Sequence, residues 1–269
     1  MKRKFSGERM ETSIYNRDAI EHLHRYAIVE NYIKNKIVMD IACGEGYGSN
    51  IIKNNAKFVY GIDLDKNTIE HAKVKYKASN LKFLSGSTSK IPLENNSIEI
   101  AISFETIEHH NEHQEMMQEI KRVLKSNGII IISTPDKLYY SDKRNFNNKF
   151  HIRELYKTDF KNLISNHFKN IQIVKQFFIN KTSYISNESV KPKFYKGNYN
   201  KTNTTEIDPL YLIAVASDDI FKQLPESLFD GSEILIDTAA KVYQSTSYKL
   251  GRLILTPFRV IKRIVKNFK

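Results

Sequence analysis

The 269-residue sequence predicts an α/β fold with a parallel sheet covered on both faces. Three observations carry this. Short, continuously apolar segments alternate with amphipathic segments of helical period; the first apolar segment breaks directly into glycines; and the second ends on an acid. Residues 18–34 form the first amphipathic segment, with Ala19, Leu23, Tyr26, Ala27, Val29 and Tyr32 on a broad apolar face. Strands are expected at 37–43, 57–62, 81–84, 98–104 and 129–134, with helices at 67–76 and 112–125 between them. Asn127-Gly128 is read as closing the second of these helices, and Pro135 ends the fifth strand because proline lacks the backbone donor. Residues 136–153 have no periodicity and read as a lid. A helix at 154–167 then leads to strands at 171–178 and 210–216, which could form an antiparallel edge pair. An insert rich in Asn, Lys and Ser at 181–208 interrupts the sheet between them.

Composition limits the function classes. Fifteen Phe and fifteen Tyr exclude a wholly disordered chain. No apolar run approaches the roughly 18 residues of a spanning helix, and the basic N-terminus leads into no apolar signal core. The single cysteine, Cys43, allows no internal disulfide, so a cytoplasmic protein is expected. The net charge of +12 is unevenly placed. Residues 1–237 carry +4, whereas residues 238–269 carry eight basic and no acidic groups. Such a one-signed tail suits an anionic surface better than a nucleic-acid groove across the domain, and no nucleic-acid partner is expected.

The glycine turn carries the chemistry. Gly44, Gly46 and Gly48 follow the first strand and open a helix; Asp63 stands 19 residues after Gly44, at the end of the second strand. Glycines let the backbone turn sharply and lie against a ligand, and an acid at that position can accept hydrogen bonds from ribose hydroxyls. The spacing is not that of the dinucleotide fingerprint, because Ser49 stands where its third glycine belongs. Asp40, four residues before the first glycine, suits a cationic ligand. A nucleoside joined to an amino acid fits these features better than a diphosphate.

The chain resembles a class I S-adenosylmethionine-dependent methyltransferase. The resemblance rests on Val38-Met-Asp-Ile-Ala-Cys-Gly-Glu-Gly-Tyr-Gly48, Gly61-Ile-Asp-Leu-Asp65, Ile91-Pro-Leu-Glu-Asn-Asn-Ser97, Ser103-Phe-Glu-Thr-Ile-Glu-His109 and Glu119-Ile-Lys-Arg-Val-Leu-Lys-Ser-Asn-Gly128, and covers about residues 20–215. It implies a Rossmann-like seven-stranded sheet of order 3-2-1-4-5-7-6 with strand 7 antiparallel, in a domain spanning residues 1–217. It implies S-adenosylmethionine as cofactor. Asp40 and the loop Ala42, Cys43, Gly44, Glu45 and Gly46 would hold its methionine end; Asp63 would take the ribose, Leu64 would pack on adenine, and Phe104 and Glu105 would line the cleft. Relatives often place an acid near Ser87 and Thr88 for the adenine amino group; here only hydroxyls stand there.

A narrower resemblance, to methyltransferases of bacterial surface-polysaccharide pathways, rests on Ser6-Gly-Glu-Arg-Met10, Glu21-His-Leu-His-Arg-Tyr26, Phe150-His-Ile-Arg-Glu154 and the tail segments Ser247-Tyr-Lys-Leu-Gly-Arg252 and Thr256-Pro-Phe-Arg259. It implies a sugar, nucleotide sugar or lipid-linked glycan as acceptor. A sugar hydroxyl benefits from a general base, for which His109 and His151 are the candidates. His109 reads equally well as a helix cap. Glu108 could orient the base, Tyr139 and Tyr140 could wall a sugar ring or pack the lid, and Arg153 could clamp an anion or pair with a nearby acid. His109 and His113 could share a helical face toward a metal, but a third ligand at fixed spacing is missing and no metal is expected. Within the extension at 218–269, Ile254, Phe258, Ile261, Val265 and Phe268 recur at helical spacing between basic residues. This basic amphipathic helix at about 254–268 could lie on the inner face of the membrane, or dock on this domain or another glycan-pathway enzyme. The alternatives are methylation of an aromatic or quinone precursor, and a non-catalytic scaffold that keeps the fold.

Overall fold

The computed structural model describes residues 10–187, 189, 192–235, 245–254 and 256. The chain forms two compact units, Met1–Gly231 and Ser232–Lys269. In the first, helices α1 (Arg17–Ile28) and α2 (Glu30–Ile33) precede strand β1 (Ile37–Ile41). There follow α3 (Tyr47–Ile52), β2 (Phe58–Asp63), α4 (Lys66–Lys75), β3 (Leu81–Ser85) and β4 (Ile98–Phe104). A 3-10 turn (Ile107–His109) leads to α5 (His113–Val123) and β5 (Leu124–Pro135), and a π turn (Leu138–Asp142) to α6 (Lys157–Ser165). The remaining strands are β6 (Asn170–Ile179), β7 (Thr182–Asn187), β8 (Phe194–Asn198), β9 (Lys201–Thr205), β10 (Tyr211–Ser217) and β11 (Ser227–Asp230).

The sheet has nine strands, not seven, in the order β11-β7-β6-β10-β5-β4-β1-β2-β3. The expected seven-strand order runs through it unbroken, from β3 to β6. β10 is antiparallel to both neighbours and sits between β5 and β6, so it is not an edge strand. Its side chains explain the placement: every residue of Tyr211–Ser217 is buried, which an edge strand does not require. The sheet is larger because the start of the polar insert continues it: β7 pairs with β6, and β11 with β7. Only β8 and β9 form a separate hairpin. The sheet unit therefore runs to Gly231, past residue 217. β5 also begins at Leu124, earlier than the expected 129. α5 passes directly into it, and the pairing with β4 slips between Ile98 and Ile100, so Asn127-Gly128 lies in an irregular strand rather than at a helix end.

Both faces of the sheet are buried, which is why its strands read as continuous apolar runs. Met39, Ile41, Ile130 and Ile132 pack with Met116, Met117 and Ile120 of α5 and Phe160 of α6. Val38, Ile102 and Ile131 point the other way, against Tyr26, Val29, Ile33 and Ile52 from α1 to α3. The carboxyl ends of β1, β2 and β4 are thereby brought to one edge. No helix among the described residues is long and apolar enough to cross a membrane. In the second unit, residues 246–254 are helical; the amphipathic helix expected at 254–268 lies, apart from Ile254 and Thr256, outside the described residues.

Candidate functional site

After β1 the chain reverses through three left-handed residues, Ala42 (φ 60°), Gly44 (φ 56°) and Gly46 (φ 87°). The two glycines do different work. A side chain at Gly44 would meet nothing within 4 Å, so its backbone faces open space; a Cβ at Gly46 would lie 2.6 Å from the Phe83 ring. Gly44 fronts the cleft and Gly46 closes the packing behind it. The Gly44 N–H donates to Asp63 Oδ2 at 3.0 Å, and the Asp65 N–H donates to Asp63 Oδ1 at 2.9 Å. This locks the acid against the loop, at the wall of the cleft.

The loop borders a cleft of about 370 Å³, within the range of small-molecule sites. Ala42, Cys43, Gly44, Asp63 and Leu64 line one side, and Ser87, Thr88, Phe104 and Glu105 line the other. Leu64 is 71% exposed, an apolar surface left for a flat partner. Three expected cofactor contacts stand elsewhere. Gly46 is turned into the core. Glu45 pairs with Lys75 at 3.0 Å and accepts from the Thr12 N–H. Asp40 lies behind the cleft wall, 1% exposed, and accepts hydrogen bonds from Ser49 Oγ at 2.6 Å and Tyr26 Oη at 3.2 Å. Burial pushes its carboxyl up to about 7 despite these donors. Its route to the cleft is through Tyr26, whose ring lines it.

A second cavity of about 140 Å³ adjoins the first; Met10, His22, Glu105 and His109 line both. Its other walls include Asp18, Glu108, Asn148, His151, Tyr140 and Tyr211. Glu105 ends β4 in a left-handed conformation (φ 52°), its Oε1 accepting from Ser133 Oγ at 2.6 Å and lying 3.6 Å from Arg25 Nη1. The next turn presents Glu108 and His109. Burial and the nearby Glu105 charge raise the Glu108 carboxyl well above its ordinary range. The Glu108 carbonyl accepts the N–H groups of Ile152 and Arg153, pinning the long loop to this turn and bringing His151 beside His109, ring centroids 5.2 Å apart. Tyr140 stacks on His151 at 5.3 Å.

His109, His151, Glu108 and Tyr140 thus converge on the second cavity. Tyr139 and Arg153 do not join them. Lys143 sits over the Tyr139 ring, and Arg153 lines a separate groove with His113. His113 is likewise removed, its Nε2 bonded to the His110 carbonyl at 2.8 Å. The sequence reading missed Met10, His22, Tyr47, Thr106 and His110 on the cleft wall, and treated Tyr26 only as core. A signal was present in α1, whose inner face carries Glu21, His24 and Arg25, all buried and rarely so in a helix that only packs.

The profile of the family described as "Methyltransferase domain" matches residues 39–132. Among curated proteins, the chain is 34% identical over 119 residues to a Mycolicibacterium smegmatis protein named "Probable S-adenosylmethionine-dependent methyltransferase", covering 44% of this chain and 46% of the relative. It is 31% identical over 106 residues to the ubiquinone biosynthesis O-methyltransferase of Pelagibacter ubique, covering 39% and 44%. The chain spans less than half the length of these relatives. Among solved structures, an S-adenosylmethionine-dependent methyltransferase from Thermotoga maritima superposes with a TM-score of 0.54 at 16% identity, covering 75% of this chain and 90% of that one. Residues 39–132 thus resemble a methyltransferase domain, and the chain shares the α/β fold of solved S-adenosylmethionine-dependent methyltransferases.

Proposed function

We propose that the chain methylates a hydroxyl oxygen of a sugar, nucleotide sugar or lipid-linked glycan, using S-adenosylmethionine, in bacterial surface-polysaccharide synthesis. The observation that carries this reading is the continuity of two unlike cavities at the carboxyl edge of the sheet. One is a glycine-backed cleft; the other is small, mostly polar and lined by histidines and carboxylates.

The first cavity suits the cofactor. Gly44 leaves room for close backbone approach, Asp63 places a carboxylate at the cleft wall for the ribose hydroxyls, and the exposed Leu64 offers a face to adenine. Ser87, Thr88, His110 and Glu112 supply polar side chains along the wall of that cavity. Bound there, S-adenosylmethionine supplies an electrophilic methyl on a sulfonium sulfur. Tyr26 and Asp40 place negative potential behind that charge. In the second cavity His109 and His151 receive the acceptor hydroxyl, with Glu105 and Glu108 beside them. Aligning the two partners out of bulk water is the main contribution such a site makes.

A second reading, an aromatic or quinone acceptor, draws on the Pelagibacter ubique relative and on Met10, Ile14 and Phe150 in the second cavity. The polar remainder of that cavity favours the sugar. The basic tail at 238–269 is proposed to hold the enzyme on an anionic membrane face, near lipid-linked acceptors, with no role for nucleic acid. The primary test is calorimetric titration with S-adenosylmethionine, with Asp63→Ala alongside, then methyl transfer to nucleotide sugars and to catechols. Micromolar binding lost in the variant is expected. No binding by the folded wild type, with or without acceptors, would leave the scaffold reading in its place.

A further inference from the structure

Glu108 and His109 share the turn after β4, and His151 comes from the loop beyond the π turn. One ligand atom from each lies within 4.8 Å of the others. Glu108 Oε1 is 3.9 Å from His109 Nε2, and two metal–ligand bonds of about 2.1 Å span up to roughly 4.2 Å. The Glu108 side chain is 1% exposed, and its Oε1 has no hydrogen-bond partner among the described residues, a costly state for a buried oxygen.

The outer nitrogens of both imidazoles are held in the manner of metal-bound histidines, which donate their other N–H to a carbonyl or carboxylate. His109 Nδ1 is 3.0 Å from the Phe150 carbonyl oxygen, which can only accept, so Nδ1 carries a proton and Nε2 is the nitrogen turned toward Glu108. His151 Nδ1 is 2.5 Å from Glu154 Oε1. Its Nε2 lies 2.9 Å from Asn148 Nδ2, and Asn148 Oδ1 already accepts from the Phe150 N–H at 3.1 Å. The amide therefore donates, and Nε2 carries the lone pair. A small rotation of Asn148 exposes that lone pair to the space between the three residues.

We propose that Glu108, His109 and His151 bind one divalent cation of the borderline class that accepts imidazole and carboxylate together, such as Mn²⁺, Co²⁺ or Zn²⁺. The sequence spacing lacked the third ligand; the loop pinned to the Glu108 carbonyl supplies it. All three residues line the second cavity. The ion's task there rests on the methyl-transfer reading. It binds the acceptor oxygen and lowers the hydroxyl pKa, so the proton leaves to solvent. The O–CH3 bond then forms as the CH3–S bond breaks, and the sulfur keeps that electron pair as a neutral thioether. His109 and His151 act as ligands rather than as bases.

The test is titration of the metal-free full chain with Co²⁺, followed by its ligand-field absorption and by calorimetry. Glu108→Gln, His151→Ala and Glu154→Gln are compared with His71→Ala, a change at an exposed histidine of α4. One ion per chain is expected, weakened at least about 100-fold by Glu108→Gln and by His151→Ala, and about 10–100-fold by Glu154→Gln, with His71→Ala unchanged. Thermal unfolding checks that each variant is folded, and Glu154→Gln, which keeps its hydrogen-bonding shape, decides if the ligand variants are not. The proposal is overturned if the wild type shows no saturable single site, or if these variants bind as the wild type does. S-adenosylmethionine binding to the metal-free chain is measured separately. Its failure alone removes the methyl-transfer reading and leaves the cation site standing; failure of Co²⁺ alone removes the site.

Discussion

Replacing Asp40 with asparagine is expected to stabilise the protein at alkaline pH while weakening its hold on S-adenosylmethionine. Asp40 is 1% exposed, and burial raises its carboxyl from 3.8 to about 7. Because the folded value is the higher one, folding favours the protonated acid. Its contribution is full below about pH 4, falls as pH rises through the interval to about 7, and is flat above it. At about 1.4 kcal/mol per unit, the full swing is about 4 kcal/mol, and about 2 kcal/mol of it falls between pH ~5.5 and ~8.5. Asparagine carries no charge across this range and can keep the contacts with Ser49 and Tyr26. Urea unfolding of both proteins at the two pH values isolates the effect, since other titrations cancel in the difference. The variant should gain about 2 kcal/mol on the wild type between them. A cationic ligand favours the ionised acid, so wild-type cofactor affinity should rise with pH through 7 and that of the variant should not. Parallel stability curves for the two proteins would refute the reasoning.

The two loop glycines should separate affinity from stability. Gly44→Ala is expected to cost about 1 kcal/mol in urea unfolding through its positive φ, with at least a tenfold loss in calorimetric S-adenosylmethionine affinity. Gly46→Ala drives a methyl into Phe83 and should cost about 1–3 kcal/mol more, so that the stability loss exceeds the affinity loss. Arg25 is 1% exposed, 2.7 Å from Gln176 Oε1 and 3.6 Å from Glu105. Arg25→Ala strands that carboxylate and is expected to cost about 3–5 kcal/mol by denaturant titration; a loss below ~1 kcal/mol would show the ion pair to be dispensable. Changing Arg259, Lys262, Arg263 and Lys266 to glutamate should abolish sedimentation with anionic vesicles, and high salt should do the same to the wild type. Undiminished sedimentation would remove the membrane role of the tail.

The expected site residues that the structure brings to the cleft edge lie where chemistry and chain position coincide. Gly44 and Asp63 each sit at a strand end, and a strand end in an α/β sheet is at the ligand edge. Glu108 and His109 follow the same rule at the end of β4. The readings that failed concern direction. Glu45 and Asp40 flank Gly44 in sequence yet point to Lys75 and to the interior. His151 and Arg153 share one short motif yet face different cavities. In an irregular loop no period tells which side a residue takes, and a one-residue change in a backbone hydrogen bond reverses it.

The sequence by itself determined the alternation of strand and helix, the burial of both sheet faces and the glycine turn with its acid, because each is written in local composition and spacing. Only the tertiary structure decided that the polar insert extends the sheet and that α1 forms a wall of the cleft. The same holds for the meeting of His151 with Glu108 and His109 across 42 residues of chain. Those outcomes depend on pairings between distant segments, chiefly the hydrogen bonds from Ile152 and Arg153 to one carbonyl and the ladder from β6 through β7 to β11. Backbone donors and acceptors are the same in every residue, so which ones meet is settled by the folded geometry and leaves little mark on side-chain identity.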